Sequence, residues 1–373
     1  MLRYWAETAI LLASLREDDS YMNGRKTMMS LSRRELLRLT GGVVAAAAVL
    51  PLSSLLPAVS QEMPATPADP APTPLGRVAE LSADIRVDAS RKSKLVRVAR
   101  RDEVLTLTGQ VAGQAVMAYN NTWFQTAEGF VYSSWVQPVQ NLNSNTPEPE
   151  KAADKFWAEV SVPFTDARAK ADPKAGRAQR LYYSTVYHVI GAVQGKDNNW
   201  WYRLQEGVSF SPGPYARASD LRRIDPSEIT PLSPDVIDKR IEVNLKKQTI
   251  TAFENGNPVL THLVCSGYGA FATPRGAHKV LFKTPTSRMV GGSGASYYDL
   301  PGVPFCTFFT WSGVAIHGTY WHNDFGRPRS HGCVNVPSDV ARWFWRWTMP
   351  VAPYDRRSYY TQRGDSVTQI IVS

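Results

Sequence analysis

At 373 residues the chain exceeds one ordinary domain, and length alone suggests two or three compact units. With 43% hydrophobic and 20% charged residues it is not disordered; its 25 Gly and 26 Pro follow no collagen period, and three Cys cannot staple a disulfide scaffold. The formal charge is +9, and residues 232–373 hold most of the excess, with 15 Lys and Arg against 9 Asp and Glu. That balance suits an anionic surface or substrate beside the last unit, or equally a solvated basic face.

In chain order, Ser32-Arg33-Arg34-Glu35-Leu36-Leu37-Arg38 precedes an uncharged run from Leu39 to Leu56 that contains Gly41, Gly42 and Pro51. A paired arginine before a moderately apolar stretch reads as a twin-arginine export signal, residues 1–60, with Met28 or Met29 as the start. Ala58-Val59-Ser60 places cleavage near Gln61, the alternative being an uncleaved anchor. Either way the mature chain is expected outside the cytoplasmic membrane, in the periplasm or cell wall, and touches the membrane only transiently through the signal. Residues 61–76, rich in proline from Pro64 to Pro74, read as an extended linker.

Two β units are predicted next, at 77–150 and 151–231. The first shows short apolar bursts with period two: Ile85–Val87, Leu95–Val98, Val104–Leu107, Val116–Tyr119, Thr122–Gln125 and Gly129–Tyr132. The second repeats the theme with Val160–Val162, Val186–Ile190, Trp200–Leu204 and Tyr215–Arg217, and carries a charged, Ala-rich insertion from Asp166 to Arg180. Trp123-Phe124-Gln125 with Glu128-Gly129 corresponds to Trp201-Tyr202-Arg203 with Glu206-Gly207, each a surface-reaching aromatic strand before a turn. Both segments resemble bacterial SH3-like domains. That resemblance implies binding to cell-wall glycan or peptide; the alternative is that the tryptophans fill two small cores and the units act as spacers.

The chemistry concentrates in 232–373. Strands are expected at Ile241–Leu245, Thr249–Phe253, Val259–Val264, Val280–Phe282, Phe305–Phe309 and Val314–His317. A helix should start with Ser338 as N-cap and turn Val340, Trp343, Phe344 and Trp347 to one face. Between them lie Ile316-His317-Gly318-Thr319 and Ser330-His331-Gly332-Cys333-Val334-Asn335. A cysteine attacks as its thiolate, and a neighbouring imidazole supplies that by taking the proton. His317 and Cys333 stand sixteen positions apart, too far for one helical face, so a strand ending at His317 and a returning loop must join them. Gly332 allows a tight turn that frees backbone N–H groups for an oxyanion. Three histidines (His317, His322, His331) cluster near Cys333, but their spacing matches no zinc pattern. Cys265 and Cys306 read as buried thiols or, outside the cell, as a disulfide pair.

These two motifs resemble the signature of the L,D-transpeptidase (YkuD) catalytic domain. The similarity spans roughly Lys239 to Val372, with Val264-Cys265-Ser266-Gly267 and Thr273-Pro274-Arg275-Gly276 along the way and Cys265 where the family more often has Ser. The resemblance implies a mostly-β sandwich with a short helix, so the whole chain would be mainly β: two small barrels and a sandwich in a line. It implies a thioester on Cys333, His317 as general base, Ser330 and His331 supporting the loop, and Gly332 with Cys333 as oxyanion donors. Gly318, Thr319, Tyr320, Trp321, Arg329 and Asn335 are the candidate substrate contacts, and Ser287 to Cys306 lies where the family places a flap. The implied substrate is the peptidoglycan stem peptide, joined in 3→3 cross-links without metal or organic cofactor; nucleic acid is not an expected partner. Resolving the same thioester with water would make an L,D-carboxypeptidase. An inert thiol would leave a wall-binding protein. A papain-like protease is disfavoured because its nucleophile precedes its histidine.

Overall fold

The computed structural model describes residues 74–206 and 213–373; the twin-arginine pair, the apolar run, the cleavage site and all but the last proline of the linker lie outside them. The described chain is mainly β. No helix among the described residues is long and apolar enough to cross a membrane.

The first unit has eight strands: β1 (Leu75–Val78), β2 (Ser82–Arg86), β3 (Leu95–Arg100), β4 (Val104–Thr106), β5 (Gly109–Met117), β6 (Asn120–Thr126), β7 (Gly129–Tyr132) and β8 (Val136–Val139). They form a three-stranded sheet β4-β1-β8 and a five-stranded sheet β3-β2-β7-β6-β5. The second unit contains β9 (Phe156–Val160), β10 (Phe164–Arg168), β11 (Arg177–Tyr182), β12 (Val186–Gln194), β13 (Trp200–Gln205), β14 (Tyr215–Arg217) and β15 (Leu221–Arg223). These make one antiparallel sheet, β11-β10-β14-β13-β12-β9-β15, whose inward side chains share one core.

The units repeat a pairing scheme. In each, the opening strand pairs with the last (β1 with β8, β9 with β15), and the second with its hairpin partner and the penultimate strand. The stretch from Asp166 to Arg180 is no insertion: most of it forms the β10–β11 hairpin, which alternating charges had concealed. Trp123 and Trp201 do not reach the surface. Both are buried, because their faces of the sheets point inward, Trp123 edge-on to Tyr132 at 5.4 Å.

The third unit is a sandwich of two five-stranded sheets. Its strands are β16 (Lys239–Asn244), β17 (Thr249–Glu254), β18 (Asn257–Leu263), β19 (Gly276–Lys279), β20 (Phe282–Gly291), β21 (Tyr298–Phe308), β22 (Ala315–Gly318), β23 (Val334–Val336), β24 (Tyr359–Tyr360) and β25 (Gln369–Val372). The orders are β18-β17-β16-β25-β19 and β23-β22-β21-β20-β24. Ile241, Val243, Ile250 and Ile370 from one sheet meet Phe305, Ile316, Val334 and Val336 from the other. Helix α1 (Ser338–Trp347) packs over β21 and β22 with Val340, Ala341, Phe344, Trp345 and Trp347 buried. Pro337, not Ser338, holds the N-cap position. Ser338 is the first helical residue, and its Oγ accepts from Ser184 Oγ at 2.8 Å.

The three units are not strung in a line. Trp157, Val186, Ile224 and Ile229 of the second unit belong to the sandwich core, and Trp157 Nε1 donates to Tyr354 O at 2.8 Å. The first unit reaches across through Arg77, which is 2% exposed. Its guanidinium donates to Asp102 and Gln137, both at 2.8 Å, and to the carbonyl of Tyr320.

Two buried lysines finish the C-terminal end of α1, where carbonyls lack intrahelical donors. Lys283 Nζ donates to Trp345 O at 2.9 Å and Thr348 O at 2.8 Å; Lys239 Nζ donates to Trp347 O at 2.9 Å. Burial pushes Lys283 down to about 7 from 10.5. Between those values the unfolded chain holds a proton that the folded chain lacks, so this component of stability rises with pH across the window and is lost as pH falls through 7. Lys283→Met should cost about 2 kcal/mol by orphaning two carbonyls and should flatten that rise. Denaturant titration at several pH values reads both; unchanged stability would mean that Lys283 Nζ does not hold the helix end.

Candidate active site

The site is built by a register. β22 and β23 are parallel neighbours, pairing Ile316 with Val334, His317 with Asn335 and Gly318 with Val336. Successive side chains of a strand alternate between faces. Ile316, Val334 and Val336 fill the sandwich core, so His317 and Asn335 project from the opposite face, and Cys333, one step before Val334, projects with them. The connection from Gly318 returns to Val334, so Cys333 enters beside the strand that carries His317. The next strand contributes Cys306 and Phe308 to the same face.

His317 is 1% exposed, and its Nδ1 lies 2.9 Å from the carbonyl of Gly318. A carbonyl only accepts, so Nδ1 carries the proton and Nε2 keeps its lone pair, the form a general base requires. Burial lowers the imidazole to about 4. Cys333 retains some exposure, and its Sγ–H points to Gly313 O at 3.7 Å. Burial pushes this thiol up to about 11, partly opposed by the backbone N–H of Ala315. The resting pair is therefore neutral on both sides at pH 7, and the thiolate expected from sequence is not the ground state. Both groups are taken out of water, which disfavours their ionised forms.

The nucleophile loop is held from several sides. Ser330 Oγ donates to Cys333 O at 2.6 Å and accepts from Gly332 N–H at 3.1 Å. That corrects the pairing of Gly332 with Cys333 as oxyanion donors: the Gly332 N–H is already committed, which leaves that of Cys333. Gly332 itself sits at φ +118°, where a side chain would be strained. Thr273 Oγ1 bridges Gly332 O at 2.8 Å and Gly267 N–H at 2.9 Å. His331 is ringed by Phe271, Tyr298 and Tyr268, with centroids 4.5, 5.1 and 6.5 Å away. Tyr298 opens β21 in the β20–β21 hairpin, which occupies the span expected for the flap and reaches over the nucleophile loop.

Several expected substrate contacts serve the protein instead. Asn335 exchanges backbone bonds with Cys265, and its side-chain amide lies 3.2 Å from His322 Nε2. His322 Nδ1 accepts from Asp324 N–H, which leaves Nε2 as the donor, and turning the Asn335 amide over would bring its unpartnered Oδ1 to that proton in place of Nδ2. Thr319 bonds Val336 O through both N–H and Oγ1, and a Cβ on Gly318 would lie 2.7 Å from Pro304. Tyr320 is buried and stacked on Tyr182 at 5.1 Å. Arg329 pairs with Glu80 at 2.8 Å and Asp324 at 3.3 Å. Trp321 and Arg329 stay partly open, and the Trp321 ring lies 5.8 Å from that of His317.

Cys265 and Cys306 are free thiols: the first donates to Asp324 O at 2.8 Å, the second to Val303 O at 3.5 Å. Among the described residues no three His, Cys, Asp or Glu side chains converge on a possible metal position. Thr273 and Tyr298 had no assigned role in the sequence. The Thr-Pro-Arg-Gly motif marked the first; nothing local marked the second, which arrives through a long hairpin.

Comparison with known proteins finds a family model that matches part of the chain. Residues 238–368 match the family model of the L,D-transpeptidase catalytic domain, YkuD. No curated protein matches the chain. Among solved structures, the catalytic domain of an Enterococcus faecium L,D-transpeptidase is 26% identical, covering 36% of this chain and 97% of that one, with a TM-score of 0.29. A Mycobacterium smegmatis L,D-transpeptidase is 18% identical over 47% of this chain and 90% of that one, TM-score 0.30. A cysteine-to-serine mutant of the E. faecium L,D-transpeptidase is 24% identical over 36% of this chain, TM-score 0.29, and the chain spans 50% of its length.

A neutral resting pair has a kinetic signature. Alkylation of Cys333 by iodoacetamide should climb with pH toward about 11 and show no plateau in the acid-to-neutral range. The Cys333→Ala variant supplies the background from the two buried thiols. A plateau setting in below pH 6.5, the ordinary imidazole value, would reveal an ion pair instead.

Proposed function

We propose that the protein is an exported cysteine L,D-transpeptidase that makes 3→3 cross-links between peptidoglycan stems. The observation that carries this reading is the shared face of His317 and Cys333, with Nδ1 of His317 tied to the Gly318 carbonyl. The family match over 238–368 supports the reaction class.

In this mechanism Cys333 Sγ attacks the carbonyl of the diamino acid in a stem tetrapeptide as His317 Nε2 takes the thiol proton. Proton transfer accompanies attack, since the thiolate is not formed beforehand. The Cys333 N–H faces the developing oxyanion. Collapse breaks the bond to the terminal D-alanine, whose amine leaves with the proton held on His317. An amine from a second stem then attacks the thioester, His317 accepts its proton, and the proton returns to the thiol. His331, held among three rings, and Trp321 flank the reacting groups. The chemistry needs no metal or organic cofactor, because thiol and imidazole cover covalent capture and both proton transfers.

The twin-arginine segment fits this reading, since the substrate lies outside the cytoplasmic membrane. For the two N-terminal units the buried tryptophans favour a bracing role over wall binding, because those rings are spent on cores.

Intact-protein mass after incubation with a carbapenem tests the nucleophile. The wild type should gain one drug mass and Cys333→Ala none, while His317→Ala should acylate at least about 100-fold more slowly near neutral pH. Adduct on Cys333→Ala would overturn the assignment. With a donor and an acceptor stem together, cross-linked dimers are expected; trimmed stems alone would mean that water resolves the thioester.

A further inference from the structure

Where the three units meet, a cavity of about 380 Å³ is lined by four guanidiniums, those of Arg77, Arg101, Arg180 and Arg288, and by Leu300 and Trp321. Three of the four are already neutralised. Arg77 and Arg180 share Asp102, Arg180 also pairs with Asp166, and Arg288 grips Asp299 with two bonds of 2.7 Å. Arg101 is exposed and has no carboxylate partner among the described residues. The cavity therefore keeps one uncompensated cation at its first-unit wall and an apolar patch, Leu300 with Trp321, at its sandwich wall.

The position of the cavity relative to the reacting groups follows from the chain. Along β22 the order runs from Ala315, level with the sulfur, through His317 to the turn at Tyr320 and Trp321. The cavity begins at that turn, so it lies beyond the base, on the side away from Cys333. The flap and the rings around His331 enclose the sulfur's other side. The Trp321 ring that lines the cavity lies 5.8 Å from that of His317, so a ligand seated there is next to the base rather than the sulfur. That is the approach required of an amine that must give up its proton as it attacks.

We propose that this cavity is the acceptor site, in which Arg101 binds a carboxylate of the incoming stem while the apolar wall takes its methylene chain. This rests on the transpeptidase reading above. An amphiphilic ligand, anionic at one end and hydrocarbon along its length, matches the diamino acid of a stem in chemistry and size. Guanidinium suits a carboxylate because its planar fork offers paired donors. The first unit thereby supplies a substrate contact to a reaction whose nucleophile lies in the third.

The experiment uses the full chain with Cys333→Ala, so that no chemistry follows binding. The probe is a stem tripeptide ending in the diamino acid, which lacks a D-alanine to release, prepared with its carboxylate free or amidated. Calorimetric titration should show the free acid binding about tenfold more tightly than the amide. Adding Arg101→Gln should bring that ratio close to one, and Arg101→Lys should retain part of it. The same preference with and without Arg101, or no preference in its presence, overturns the proposal. Carbapenem acylation of the wild type, measured separately, tests the transpeptidase reading. Its failure would leave the binding ratio to decide the cavity on its own.

Discussion

One strand pairing governs this molecule: β22 lies parallel to β23 with His317 opposite Asn335. A slip of one residue would turn the imidazole or the sulfur into the sandwich core, since the side-chain period is two. The core prevents that slip. Ile316, Val334 and Val336 fill it together with α1, and none could be exchanged for its polar neighbour without burying an unpaired group. The hydrophobic face therefore positions the chemical face, and the same alternation that makes the strands stable makes them reactive on one side.

The pairing must be closed by the long connection between the two strands, and such a segment is costly to order. Fixing a dozen residues takes on the order of 10 kcal/mol or more, and apart from Tyr320 and Trp321 this loop is largely polar or small. Its stability comes from the first unit. Tyr119 Oη donates to Asp324, Asn323 Nδ2 to Ser133 O at 3.0 Å, Arg329 to Glu80, and Arg77 to Tyr320 O. The second unit adds the Tyr182–Tyr320 stack and, through Glu159, a bond from Arg342 of α1. The N-terminal units are thus part of the wall of the active site rather than beads on a string.

Sequence made the sandwich strands and α1 legible because each alternated or turned around one apolar face. The Ser-His-Gly-Cys and Ile-His-Gly-Thr motifs marked the chemistry because histidine and cysteine are sparse, six and three in the whole chain. Three things were hidden. The β10–β11 hairpin looked like a charged insertion, because Asp166, Arg177 and Arg180 satisfy one another across the strands. The tryptophans of the two small units looked exposed, because their burial depends on which face of a sheet points inward. The state of the nucleophile was hidden most deeply. Adjacent Cys and His suggest an ion pair, whereas the dry surroundings of both favour neutral groups, and burial is not written in the spacing of a motif.

The central claim is that a neutral imidazole at position 317, protonated on Nδ1, waits beside a neutral thiol. Nitrogen-15 NMR of the His317 ring, recorded on the full chain from acid to neutral pH, tests it directly. The account requires an Nδ1–H tautomer near pH 7, titration close to 4, and a changed Nε2 signal once Cys333 is alkylated. An imidazolium persisting at neutral pH, or an Nε2 signal indifferent to the state of the sulfur, would contradict it.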